Sequence, residues 1–252
     1  MNAQLRTALK SRLRAALIHF SGSACIGLLS LALVFWLWYP GPLAAAVGVG
    51  PIFLLMLAVD VCIGPLLTFA VFKVGKKSLP FDLAVIVCLQ LGALGYGLWS
   101  IADGRPAWLV FNVDRFTLTR VNDIDLRHVS ESRPEYRSPP WTGPQWVAAV
   151  IPADLENKNK LIWESALGGS DLPQRTDLYR PLETEAAHVR ERAKPLSELE
   201  QFNPAEQVRK VTAAWPQADA WLPFATRTQS MVVLIDKAQA KPVAIVELQP
   251  WQ

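Results

Sequence analysis

The sequence predicts a membrane protein in which three transmembrane α-helices are followed by an extracytoplasmic α+β domain. Three observations lead there. Long apolar runs crowd the first hundred of the 252 residues, and 51% of the whole chain is apolar. One of those runs, Pro51 to Phe72, carries a single carboxylate, Asp60, near its middle. Beyond Ile101 the pattern changes to short apolar segments, amphipathic stretches and Gly/Pro turns, over a length that can bury its own core.

In chain order, residues 1–16 form a basic N-terminal segment with Arg6, Lys10, Arg12 and Arg14 and no acidic residue. The first span, 17–39, contains no Lys, Arg, Asp or Glu, only His19 and a few serines. Ala44-Ala45-Ala46 offers the small residues a signal peptidase accepts. The apolar stretch nevertheless exceeds the roughly 7–15 residues of a signal-peptide core, and it ends in the interfacial aromatics Trp36, Trp38 and Tyr39. It reads as a retained anchor. The second span, 51–72, is roughly 33 Å long at about 1.5 Å per residue, enough to cross a bilayer core. An Asp at its centre costs about 2.5–3.5 kcal/mol on insertion scales, so Asp60 should face protein or a water-filled cavity. The third span, 81–101, holds one charge, Asp82, placed to cap its start.

Residues 102–252 form the soluble domain. Strands are expected over 107–113, 146–151, 231–236 and 243–248, the last two joined as a hairpin. Helices are expected over 154–167, stopped by Gly168-Gly169, and over 183–193 and 204–214. The Pro-rich stretch 131–144 reads as a loop, and Trp141 within it as the tryptophan exposed for contact.

Charge sets the orientation. The links carry no charge over 40–50 but Lys73, Lys76 and Lys77 over the next, so the N-terminus and second link stay cytoplasmic and the C-terminal domain lies outside. The net charge of +3 divides unevenly: the first 101 residues carry seven basic and two acidic side chains, the rest eighteen and twenty. The basic surplus is therefore a topology and lipid-headgroup signal. It is not a nucleic-acid surface, because the outer domain has no basic excess.

Counting about 1.5 Å per residue from the interfaces places Ser30, Asp60 and Gln90 at similar depth, one on each helix. Small residues extend each face: Ser23 and Gly27 with Ser30, Gly64 and Thr68 with Asp60, Ala93 and Gly97 with Gln90. The expectation is that these stripes meet and that Asp60 bonds Gln90, Ser30 or both. The simpler reading is helix–helix glue, with Gly64-Pro65 as a kink; the functional one is a docking site for another transmembrane segment.

Enzyme signatures are lacking. His128 and His188 are isolated in sequence, and no HExxH, GxSxG or P-loop occurs. No catalytic residue, cofactor or metal is expected. Cys25, Cys62 and Cys88 all fall inside the spans and read as small fillers of helix packing.

The segments YPGPL (39–43), GVGPIFLLMLAVDVCIGPLLTFAVFK (48–73), FDLAVIVCLQLGALGYGLW (81–99) and GRPAWLVFNVDRF (104–116) resemble, in this order and spacing, the type IV pilin accessory proteins of the TfpX/TfpZ group. The resemblance runs from about His19 to Ile124 and is looser beyond Asp125. It implies a Gram-negative inner-membrane protein that helps a cognate type IV pilin accumulate or assemble, without enzymatic activity or cofactor. Val59–Val61, Gly64–Thr68 and the element containing Asp114 and Arg115 match the family's motifs. The expected partners are a pilin, held through both its transmembrane helix and its head, and membrane lipid; self-association and contacts with pilus machinery stay open. The sites expected to carry this are Asp60, Ser30, Gln90, Gly64, Pro65 and Thr68 in the membrane, and Asp114, Arg115 and Trp141 outside it. The alternative is a membrane sensor or regulatory subunit with a ligand-binding outer domain.

Overall fold

A computed structural model describes residues 3–251. Its chain gathers into two compact units: one runs to Trp36 and resumes over Val49–Ala102, and the other takes Leu37–Gly48 and everything from Asp103 onward.

The first unit is helical. Helix α1 covers Ala3–Ala32 and continues as a wider π-helical stretch, Leu33–Trp38. The helix runs through the basic segment that precedes the expected span 17–39. Ala, Leu, Arg, Lys and Gln dominate the first turns, and these are strong helix formers whatever their charge. After a short helix α2 (Leu43–Val47) come α3 (Val49–Val71) and α4 (Leu79–Asp103). Three helices, Arg6–Trp38, Val49–Val71 and Leu79–Asp103, are long and apolar enough to cross a membrane.

Helices α1 and α3 pack closely at Gly27, where an added Cβ would lie 3.3 Å from Leu57 and 3.4 Å from Val61. Helix α4 meets α3 at two other glycines: the side chain of Gln90 lies over Gly64, and that of Met56 over Gly97. Helix α3 runs unbroken through Pro65. Ser78 precedes α4 and donates to Asp82 at 3.2 Å, while Lys76 pairs with Asp82 at 2.6 Å. Asp82 thus sits inside the first turn rather than capping it. The three cysteines lie on exposed helix faces, not in the contacts. Gly, with no side chain at all, serves the close approaches instead.

The second unit is built on one eight-stranded mixed sheet of order β4-β3-β1-β2-β6-β7-β8, with β5 beside the start of β6. The strands are β1 (Pro106–Asn112), β2 (Arg115–Arg120), β3 (Gln145–Ala149), β4 (Tyr179–Pro181), β5 (Lys194–Pro195), β6 (Ala220–Ala225), β7 (Met231–Asp236) and β8 (Lys241–Val246). Strand β1 lies between antiparallel β2 and parallel β3. Six of its seven residues are buried because the sheet is covered on both faces. Leu109, Phe111, Leu222, Phe224 and Val233 share one core; Trp108, Val110 and Tyr179 fill a second, and Trp221, Val232 and Leu234 a third. Val189 of α6 (Ala186–Arg192) joins the first core and Val208 of α7 (Ala205–Ala213) the third, while α5 (Leu155–Ala166) buries only Leu161. Asp154 caps α5 by accepting from the Asn157 amide at 2.9 Å, and Gly168 ends it at φ +80.

The link between the first two spans is part of this second unit. Leu43 and Ala46 of α2 belong to its largest core, 2% and 0% exposed. The Thr226 hydroxyl lies 3.0 Å from the Ala46 carbonyl, and Thr228 donates to that of Val47 at 3.2 Å. Gly48 then turns the chain at φ +76 into α3.

Candidate functional site

The stripe residues are brought together in part. Gln90 crosses from α4 to α3 and donates through Nε2 to the backbone carbonyl of Asp60 at 2.7 Å, not to its carboxylate. Gly64 makes this possible, since any side chain there would occupy the space of the Gln90 amide. Ser30 is buried but donates to its own helix, to Ile26 at 2.9 Å, and does not join Asp60. A serine in an apolar helix satisfies itself most easily on the carbonyl one turn back. Thr68 is buried and bonds His19 of α1, Oγ1 to Nδ1 at 2.6 Å. Pro65 is buried beside Gly64 within α3.

A cleft of about 270 Å³ opens among α1, α3 and α4, lined by His19, Ser23, Gly27, Asp60, Gln90 and Leu94 among others. Its walls are mostly apolar; behind them, Asp60 Oδ2 and Gln90 Oε1 are buried without a hydrogen-bond partner among the described residues. His19 is the member that sequence reasoning passed over. Its signal was present: it is the one histidine in a span without Lys, Arg, Asp or Glu, and such residues turn inward.

In the second unit Asp114 and Arg115 form a bidentate pair at 2.7 and 3.1 Å at the tip of the β1–β2 hairpin. The Arg115 side-chain bonds hold the Asp114 carboxyl below the usual carboxylate range, and Asp114 in turn raises Arg115. The guanidinium also lies 5.5 Å from the centre of the Trp251 ring. The preceding Val113 holds φ +57. Trp141 is 64% exposed, with Arg105 stacked on its ring at 4.2 Å. Arg105 precedes β1 and Asp114 follows it, so Trp141 and the Asp114–Arg115 pair mark opposite ends of that strand and do not form one site.

Two further features emerge only in three dimensions. Helix α5 buries Leu161 but leaves Leu155, Ile162 and Trp163 exposed, an apolar face that the expected packing of this helix did not foresee. His128, isolated in sequence, meets Glu131 and Asp177, their ligand atoms all within 4.8 Å. That trio has the atoms of a cation site, but Arg175 takes both oxygens of Asp177 at 2.9 and 3.0 Å and also pairs with Glu164. The arrangement braces neighbouring turns with ion pairs.

Comparison with known proteins places this architecture. The family model of the fimbrial assembly protein FimB matches residues 7–48, the first long helix and the link that follows it. A fimbrial assembly protein of serogroup I from Dichelobacter nodosus is 31% identical over 229 residues, covering 87% of this chain and 89% of the relative. The serogroup E1 protein of that organism matches to the same extent. The chain belongs to the fimbrial assembly protein family. A shorter fimbrial assembly protein, of serogroups C1 and C2, is 35% identical over 117 residues, 46% of this chain. Membership of the fimbrial assembly family agrees with the resemblance to the pilin accessory group. No solved structure matches this chain.

Proposed function

We propose that this fimbrial assembly protein is a non-enzymatic, chaperone-like component of the bacterial inner membrane that holds a type IV pilin before its assembly. The observation that carries the reading is the cleft: the three apolar helices, packed at their glycines, still leave a mostly apolar groove among them beside Asp60 and Gln90. A subunit that waits in the membrane through one apolar helix fits such a groove. The names of the relatives supply the fimbrial context.

In this reading the N-terminus and Lys73–Lys77 face the cytoplasm and the second unit lies in the periplasm, by the distribution of basic residues. There the Asp114–Arg115 tip, Trp141 and the exposed face of α5 are the surfaces offered to the pilin head. The test is copurification of the cognate pilin with the full-length protein from native membranes. Wild type should retain the pilin, and Asp60→Leu should lower both pilin recovery and piliation. A pilin that never copurifies, with piliation unaffected by deletion of the protein, would reject the proposal.

A further inference from the structure

We infer that the tip of the β1–β2 hairpin and the turn from α6 into β5 form one cationic surface that takes an acidic segment of the pilin head. This rests on the pilin reading and adds the chemistry of the outer contact. Strand register brings the two turns together. Strand β6 pairs with β5 at Trp221 and Lys194, and with β2 at Phe224 and Phe116. Strand β7 fills the other side of β6 over this stretch, so β5 and the start of β2 follow one another along a single edge. Arg192 ends α6 two residues before Lys194.

The charges at this edge do not balance. Arg115 holds Asp114 through Nε and Nη2, and these bonds lower its carboxyl most. The charges of Arg192 and Lys194 lower it further, and neither of these two pairs with a carboxylate among the described residues. Three cations therefore share one acid, in a domain with eighteen basic and twenty acidic residues. Neighbouring cations repel one another, and a carboxylate set among them relieves that repulsion. The surface is accessible and ordered in advance. Arg192, Lys194 and Val113 are exposed, Arg115 is fixed by Asp114 beside Trp251, and Lys194 Nζ lies 5.1 Å from the centre of the Trp221 ring. Cations already held in place lose little freedom on binding. Along the chain the tip is the end of β1 far from α4, which favours a protein over lipid headgroups as the acidic partner.

The experiment places a photo-crosslinking amino acid at Val113 of the full-length protein, in native membranes with the cognate pilin, and maps adducts by mass spectrometry. The expected adduct lies on the pilin head, in a segment holding several Asp or Glu residues. Arg192→Glu with Lys194→Glu should cut that adduct about five- to twentyfold, and raising salt from about 50 to 500 mM should cut it in wild type. Arg192→Gln with Lys194→Gln should cut it less, because charge is removed without being reversed. Changing the mapped pilin carboxylates to Lys should abolish the wild-type adduct and restore that of the charge-reversed variant. Adducts only to lipid or to a second copy, adducts to a pilin segment without acids, or equal yields from wild type and the charge-reversed variant would overturn the inference. If pilin copurifies and no Val113 adduct forms on it, this contact falls and the broader reading stands. If pilin neither copurifies nor crosslinks, both fall.

Discussion

At the scale of single residues, the tip of the β1–β2 hairpin stands out for its backbone. Val113 holds φ +57, a region where a side chain costs about 1–2 kcal/mol and a β-branched one is an outlier. It is 56% exposed, so no burial offsets the strain. Glycine removes the clash but adds about 0.4–1 kcal/mol of unfolded-state entropy. Val113→Gly should therefore stabilise the second unit by about 0.5–1 kcal/mol, read as a higher denaturant midpoint. If the midpoint falls, the strain is not there. Asp125 gives the clearest pH dependence. Bonds from the Arg127 side chain, the Ser170 hydroxyl and the Arg127 amide hold its carboxyl well below the usual range despite opposing burial. A depressed folded-state pKa contributes stability above the unfolded value, near pH 4, and loses it as pH falls. Asp125→Asn should thus melt below wild type at pH 7, and the gap should begin to narrow only below about pH 4 and shrink progressively as pH falls toward the depressed folded-state value. A gap independent of pH would assign Asp125 a purely steric role.

At the scale of elements, α2 is the piece whose position changes most between sequence and structure. The stretch Pro40–Gly50 reads as an uncharged link because five helical residues are too few for any periodicity to show. Its signals are local: Pro42 before the helix, Gly48 after it, and Leu43 and Ala46 three apart on one side. These two complete a core otherwise built from the sheet, α6 and the turns beside them. A fragment of residues 103–252 lacks them. It should bind a dye for exposed apolar surface and melt broadly, whereas the same fragment joined to residues 37–48 through a flexible linker should melt sharply. Equal melting of the two would show that α2 contributes nothing. Replacing Thr226 and Thr228 with Val should cost the joined fragment about 1–2 kcal/mol through the lost bonds to Ala46 and Val47.

At the scale of the whole molecule, legibility follows periodicity and length. Long apolar helices and hairpin strands such as β7 and β8 announce themselves in residue order. Strand β6 does not, because Pro223 argues against a central strand. The sheet accommodates it: β5 pairs with Ala220 and Trp221, β2 with Phe224 and Ala225, and Pro223 falls in the gap between them. Strands β4 and β5 have three and two residues, and only their neighbours give them a place. In the cleft, depth counting brought Gln90 to Asp60 but could not separate a carboxylate contact from a carbonyl contact. It also could not foresee that Ser30 would turn back on its own helix. The proposed topology predicts that a periplasm-dependent reporter is active when fused after Trp251 and silent when inserted after Lys77. The reverse pattern would invert the charge-based orientation.

The link that joins the second unit's core is made about 180 residues before the threonines that fasten it. At about 5–20 residues per second of synthesis, Leu43 and Ala46 wait on the order of ten seconds or longer for their cover. Only the last hairpin completes it, with Met231, Val233 and Ile235 in the same core. A chain cut short by a premature stop or a nick near its end would keep all three apolar helices yet display a bare apolar patch at the link. Completion of synthesis is thereby written into the exposure of a segment less than a fifth of the way along the chain, where proteases that survey unfinished proteins could read it.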